Sequence, residues 1–207
     1  MTNLRVAVMA VVVAAMVVMV SLLFQPSQGP EAVAAPVAVA PPATPARIVF
    51  PVDRQPVMDL PGGERRAVAS VLNVTRPMRY GQYVWNTAAI APDDTWVRID
   101  LAKQIVSVFR GGHEIGTAVI LFGADEKPTP LGRFPIIEKR EEHRSNLYNA
   151  DMPFMLRLTY DGVAIHASDV RRNAATHGCI GVPMDFARLL FAEVGVGDPV
   201  MILPDAA

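Results

Sequence analysis

Residues 96–109 read WVRIDLAKQIVSVF and decide the fold class of this chain. Apolar and polar side chains alternate in the first six of these residues, and Gln104–Phe109 is rich in β-branched side chains, as strands are. Arg110–His113 has the composition of a turn and is followed by a further apolar run, Ile115–Phe122. We therefore predict an antiparallel β-meander in this region.

Downstream of the meander, the pattern predicts a long loop and then more strands. Gly123–Pro135 contains three prolines and two glycines and is expected to be a loop. Apolar and polar side chains alternate over Met155–Tyr160, as in a strand. The Asp161-Gly162 turn then leads into the apolar segment Val163–His166. His166 is therefore expected at the end of a strand.

One helix is expected over Met184–Val194, where apolar side chains recur at helical spacing. Asp185 is a candidate cap for this helix, and Gly195 is expected to end it. Pro199–Leu203 has the composition of a final strand. Residues 95–204 are thus predicted to form a mainly β domain with one short helix, which follows the loop that contains Cys179.

The amino-terminal segment, residues 1–24, is expected to meet a membrane. Val6–Phe24 runs for 19 residues without a charge, which is long enough to cross about 30 Å of hydrocarbon as a helix. This length favours an uncleaved anchor, whereas Ala38-Val39-Ala40 would serve as the cleavage site of a signal peptide. Either alternative exports the rest of the chain, and Arg5 before the span indicates a cytoplasmic amino terminus.

Residues 25–56 are rich in proline and alanine and are expected to form an extended linker without helix or sheet. Residues 57–94 are the least informative part of the sequence and are assigned to an N-terminal extension of the domain. Within this extension we predict a short helix over Arg65–Asn73 and a loop or strand over Met78–Asn86.

The charge of the chain argues against a nucleic-acid partner. Its 207 residues include 19 basic and 20 acidic side chains, and aromatic residues are not interleaved with lysine or arginine. After the membrane segment and the linker, the length allows one domain of about 150 residues, which is enough to bury its own core. We expect one domain and no nucleic-acid binding.

The only cysteine, Cys179, lies in Thr176-His177-Gly178-Cys179-Ile180-Gly181, thirteen positions after His166. A lone cysteine cannot form an internal disulfide, and two nearby imidazoles are typical of a thiol nucleophile with its base. Zinc is a chemical alternative, because cysteine and histidine are zinc ligands, but no fourth ligand is spaced convincingly. We predict thiol chemistry without a metal or an organic cofactor.

Four blocks of sequence, in order, resemble one protein family. The blocks Thr129–Phe134, Met152–Leu158, Gly162–His166 and Thr176–Ile180 are similar to those of the L,D-transpeptidase catalytic-domain family, over roughly Thr95 to Leu203. The resemblance implies a β-sandwich-like domain in the bacterial cell envelope, either periplasmic or otherwise extracytoplasmic. It also implies peptidoglycan stem peptides as the substrate, and the predicted membrane segment agrees with that location.

The resemblance further implies roles for the site residues. Cys179 attacks a stem-peptide carbonyl and forms a thioester, and His166 is its base, steered by the backbone carbonyl of Ala167. The amides of Gly178 and Cys179 are the expected oxyanion hole, because glycine leaves backbone N–H groups uncovered. Two further residues are expected to line the oxyanion hole or to support its loop: Thr176 and His177.

The sequence departs from the family pattern at two points. Gly181 stands where the family commonly has an arginine, and the interval between base and nucleophile is shorter than usual. Arg171 or Arg172 in the shortened loop would supply the missing positive charge to an anionic substrate. Tyr160 completes the set of expected substrate-binding residues.

Three functions stay open on the sequence. A transpeptidase passes the thioester to an amine of another stem peptide or of an envelope protein, whereas a carboxypeptidase or amidase passes it to water. The third alternative is a catalytically weak peptidoglycan-binding module, in which the absence of the family's arginine reflects a loss of activity. The intact His166 and His177-Gly178-Cys179 set argues against the module, and we expect the transpeptidase.

Overall fold

The meander predicted from residues 96–109 forms the centre of the largest sheet. The computed structural model describes residues 47–123, 127–146 and 149–204. In it, β6 (Thr95–Asp100), β7 (Ile105–Arg110) and β8 (His113–Val119) pair antiparallel in chain order. The mainly β fold class expected from the sequence is confirmed.

Shorter strands extend this sheet on both sides, namely β1 (Arg47–Val49), β4 (Ser70–Leu72), β5 (Tyr83–Trp85), β9 (Gly132–Pro135) and β14 (Pro199–Leu203). The strand order is β1-β4-β8-β7-β6-β14-β9, with β5 also paired to β8. The strand β14 runs parallel to β6 and antiparallel to β9. A separate hairpin joins two strands near the start of the described chain. The strands of this hairpin are β2 (Val57–Leu60) and β3 (Glu64–Ala67).

A second sheet of four strands has the order β10-β11-β12-β13. Its strands are β10 (Glu138–Arg140), β11 (Met155–Arg157), β12 (Ala164–Ala167) and β13 (Ile180–Val182). The pairs β10–β11 and β11–β12 are antiparallel, whereas β12 and β13 run parallel. The helix α1 (Met184–Glu193) follows β13, and a 3-10 turn covers Val52–Arg54.

One hydrophobic core joins the two sheets and the helix. It includes Val97 of β6, Ile165 of β12, Ile180 of β13 and Phe186 of α1, each at most 1% exposed. Strands show alternate residues to opposite faces, so burial of Ile165 and Ile180 turns their neighbours toward the other face of the small sheet. The packing is sandwich-like, and it decides which side chains of β12 and β13 reach the surface.

Two predictions for the amino-terminal half are wrong. Arg65–Asn73 is not a helix, because its residues belong to β3, which pairs with β2, and to β4, which pairs with β1 and β8. The strand β1 also lies inside the range 25–56, where no sheet was expected. Pairing with partners distant in sequence overrides the weak local preference in both places.

Two further predictions, downstream of the meander, are wrong. Gly132–Pro135 lies in the expected loop but forms the edge strand β9, and a proline is tolerated at such an edge. Asp185 does not cap α1, since the N-cap residue is Pro183 and no side chain makes a capping bond. Asp185 instead lies in the first turn, where a negative charge is favourable to the helix dipole.

The predicted membrane segment, residues 1–24, lies outside the described residues, as does the linker up to residue 46. Within the described ranges, no helix combines the length and the apolar composition needed to cross a bilayer.

Candidate active site

The parallel register of β12 and β13 places the predicted nucleophile and base on one face of the small sheet. Ile165 pairs with Ile180, and His166 pairs with Gly181. Cys179 directly precedes β13, on the same side as His166 and opposite to the buried isoleucines. The thiol packs against a small cluster made by Met152, Met155 and Ala164.

Cys179 and His166 line one cleft of about 530 Å³. Its lining also includes five of the other residues singled out in the sequence, namely Thr176, His177, Tyr160, Arg171 and Ala167. Tyr160 is 94% exposed, so it lies at the rim rather than inside. Arg172 is exposed and is not among the lining residues, and thus only one of the two candidate arginines reaches the cleft.

The imidazole of His166 is held through its Nδ1 atom. Nδ1 lies 2.8 Å from the carbonyl oxygen of Ala167, which is the contact expected for the steering group. A carbonyl oxygen only accepts hydrogen bonds, so the proton belongs on Nδ1 and the lone pair on Nε2. Ser168 Oγ is a second neighbour of Nδ1, at 3.3 Å.

The loop before Cys179 is fixed by two threonine hydroxyls. Thr129 Oγ1 donates to the Gly178 carbonyl at 3.1 Å and accepts from the Gly123 amide at 2.9 Å. Thr176 Oγ1 donates to the Cys179 carbonyl. The C=O and N–H groups of a trans peptide point in opposite directions. The Gly178 carbonyl points toward Thr129, so the N–H of Cys179, in the same peptide group, points away from Thr129.

Gly178 has a backbone reason to be glycine. Its φ is +95°, in the region that residues with a Cβ rarely adopt. A Cβ at this position would find its nearest neighbours at 3.6 Å, which is ordinary contact. Conformation, not lack of space, therefore selects glycine beside Cys179.

Burial shifts both titratable groups toward their neutral forms. It raises the pKa of the Cys179 thiol, against smaller lowering effects of the Ala164 backbone and of the Lys127 charge. Burial also lowers the pKa of His166, against the raising effect of the Ala167 carbonyl, and the charge of His143 lowers it further. The resting state that these shifts favour is a neutral thiol, which donates to the Gly162 carbonyl at 3.7 Å, and a neutral imidazole in the same cleft.

Several residues of the site were not singled out in the sequence analysis. Lys127 lines the cleft, and Thr129 supports the loop before Cys179. Thr129 opens the first of the four family blocks, which was the only signal for it. Within the described ranges, no group of three or more histidine, cysteine, aspartate or glutamate side chains could hold a metal ion.

Comparison with known proteins gives one family. A family model described as the L,D-transpeptidase catalytic domain (YkuD) matches residues 94–202. The chain is similar to L,D-transpeptidase 1 of Mycobacterium tuberculosis strain ATCC 25618 / H37Rv, with 26% identity over 120 residues. This match covers 50% of the chain and 48% of the relative, so the chain spans about half the length of the curated relative it matches.

Solved structures give the same fold. An L,D-transpeptidase from Stackebrandtia nassauensis is 22% identical, with a TM-score of 0.51 over 56% of this chain and 58% of that one. An LD transpeptidase in complex with imipenem is 23% identical, with a TM-score of 0.51 over 54% and 59%. The family model itself matches more than half of the sequence, including β12, the Cys179 loop and β13. The chain belongs to the L,D-transpeptidase catalytic-domain family.

Proposed function

We propose that this protein is a cysteine-dependent L,D-transpeptidase that acts on peptidoglycan stem peptides through a thioester acyl-enzyme. The observation that carries the proposal is the register of β12 and β13, which sets His166 and Cys179 on one face, in one cleft. Membership of a family of peptidoglycan-modifying transferases supports the reaction class. It also supports a location in the cell envelope, with the segment 1–24 as the proposed anchor or export signal.

The proposed acylation begins from the neutral pair. As the Cys179 sulfur attacks the carbonyl carbon of a stem-peptide residue, Nε2 of His166 takes the thiol proton. A carbon–sulfur bond forms, and the carbonyl oxygen becomes an oxyanion that the Gly178 and Cys179 amides stabilise. Collapse of this intermediate breaks the carbon–nitrogen bond to the terminal D-alanine, whose amine receives the proton from His166.

The thioester is then resolved by an acceptor. An amine of a second stem peptide, or of an envelope protein, gives its proton to His166 and forms the new amide bond, and Cys179 is released as a thiol. Water in the same role gives a free carboxylate, which is the carboxypeptidase alternative. Burial raises the pKa of the Cys179 thiol, so in the proposed reaction the thiol still carries its proton when the attack begins and passes it to His166.

The test is incubation of the purified full-length chain with a tetrapeptide-stem muropeptide, followed by mass spectrometry of the protein and of the products. We expect a covalent acyl adduct on Cys179, release of D-alanine and a cross-linked dimer. Release without a dimer would identify the hydrolase and contradict the transferase. A folded chain that forms no adduct and releases nothing would refute the enzymatic proposal, including its thiol step.

Imipenem provides a second probe, because one of the fold neighbours was solved in complex with it. Acylation by imipenem is expected to add one drug molecule to Cys179 and to compete with the muropeptide. Cys179→Ala, which removes the thiol and adds no bulk, is the matched control and is expected to take up none. An adduct that persists in this variant would place the reaction on another side chain.

A further inference from the structure

Ser168 contacts the imidazole of the proposed base. It follows β12, its amide donates to the Val182 carbonyl at 2.8 Å, and its Oγ lies 3.3 Å from Nδ1 of His166. The side chain is half-buried and lines the cleft. Because Nδ1 carries the proton that it donates to Ala167, the Ser168 hydroxyl can meet Nδ1 only as a second acceptor of that proton.

Gly181 makes room for this serine. It pairs with His166 in the parallel register, and its own amide and carbonyl bond to Leu121 at 2.9 and 2.8 Å, so its backbone is fixed from both sides. A Cβ on Gly181 would meet Ser168 Oγ at 2.7 Å and Ser168 Cβ at 2.8 Å. Glycine inside a strand commonly marks such a close approach. Position 181 is the position at which the family's arginine is absent.

We propose that Ser168 is a positioning residue for His166, and that glycine at position 181 gives its side chain room beside the ring. The inference rests on the proposed thiol mechanism, in which His166 must present Nε2 to Cys179. Two acceptors on one side of Nδ1 hold the ring in that orientation and stabilise its protonated form after proton transfer. Gly181 is then one half of a pair with Ser168.

The first experiment measures the rate of Cys179 acylation by imipenem as a function of pH. Ser168→Ala is expected to lower the maximal rate about three- to tenfold, as for the loss of one hydrogen bond. The acid limb of the profile is expected to move to lower pH, because the imidazolium loses an acceptor. Ser168→Thr keeps the hydroxyl and is expected to restore both quantities.

Gly181→Ala tests the other half of the pair. The added methyl group displaces the Ser168 hydroxyl, so the acid limb is expected to move in the same direction as in Ser168→Ala. Gly195→Ala is the matched control, since its Cβ would meet only the Asp198 carboxylate, at 3.8 Å or more, and it should leave the profile unchanged. In the double variant Ser168→Gly/Gly181→Ala the clash is absent, so its thermal stability should exceed that of Gly181→Ala. The acid limb should stay at the lower pH, because the hydroxyl is still missing.

An NMR titration of His166 separates this inference from the proposed function. The ring is expected to titrate at lower pH in Ser168→Ala than in the wild type. All other titratable groups lining the cleft, including His143 and Lys127, are common to both proteins. If imipenem never acylates the wild-type chain, the proposed function fails and the titration still decides the role of Ser168. An unchanged His166 titration in Ser168→Ala, or an unchanged acid limb in both single variants, would overturn the inference.

Discussion

Replacing Gly178 by alanine separates backbone strain from the proposed oxyanion hole. At φ +95°, an alanine costs about 1–2 kcal/mol relative to glycine, while its Cβ meets no atom closer than 3.6 Å. For a domain of this size, that cost lowers the thermal unfolding midpoint by about 2–8 °C. Strain of this kind is relieved when the chain rotates toward negative φ, which reorients the amides proposed to bind the oxyanion.

The expected result is therefore twofold. Calorimetry should show the modest loss of stability, and the rate of Cys179 acylation by imipenem should fall about 100-fold, the lower end of the range for loss of one oxyanion donor. Gly197→Ala is a matched control, because Gly197 has φ +98°, has no atom within 4 Å of its Cβ position and does not line the cleft. It should show the same loss of stability at the wild-type acylation rate.

A Gly178→Ala protein that loses stability as Gly197→Ala does, yet acylates at the wild-type rate, would refute this reasoning. The backbone at position 178 would then have no part in stabilising the oxyanion, and the Cys179 amide alone would have to carry it.

Three further predictions concern charged groups. Lys127→Ala should raise the pKa of the Cys179 thiol, because a positive charge that lowers it is lost, and alkylation by iodoacetamide at fixed pH should slow relative to Lys127→Arg. Arg171→Ala should raise KM for anionic stem peptides severalfold, whereas Arg172→Ala, outside the cleft, should not; equal KM values would rule out the arginine anchor. Burial raises the pKa of Glu114, so its ionisation opposes folding as pH rises above the ordinary glutamate range. Glu114→Gln should therefore raise the unfolding midpoint at pH 8 more than at pH 4, and a pH-independent difference would contradict this assignment.

The fold was predictable where the signal is local. Alternation along β6, β-branched residues along β7 and the helical spacing of Met184–Val194 all lie in short windows, and the structure follows them closely. The strands β1 and β9 were missed because each is short and exists through its partner, β4 in one case and β14 in the other. Nothing within such short segments specifies the partner.

The candidate site shows the same division. Cys179 and His166 could be singled out from residue type and spacing, because a lone thiol near two imidazoles is chemically distinctive. Thr129, Lys127 and Ser168 could not be placed, since their positions relative to Cys179 and His166 depend on how separate loops and strands meet.

The half-buried position of Cys179 bears on how readily its sulfur is oxidised. Peroxides and disulfides react with the thiolate, and a protein with one cysteine has no second thiol with which to reverse the damage by forming an internal disulfide. Because burial raises the pKa of Cys179, the sulfur is protonated in the empty cleft at neutral pH. In the proposed reaction, the environment that keeps the sulfur protonated at rest would thus also slow its irreversible oxidation.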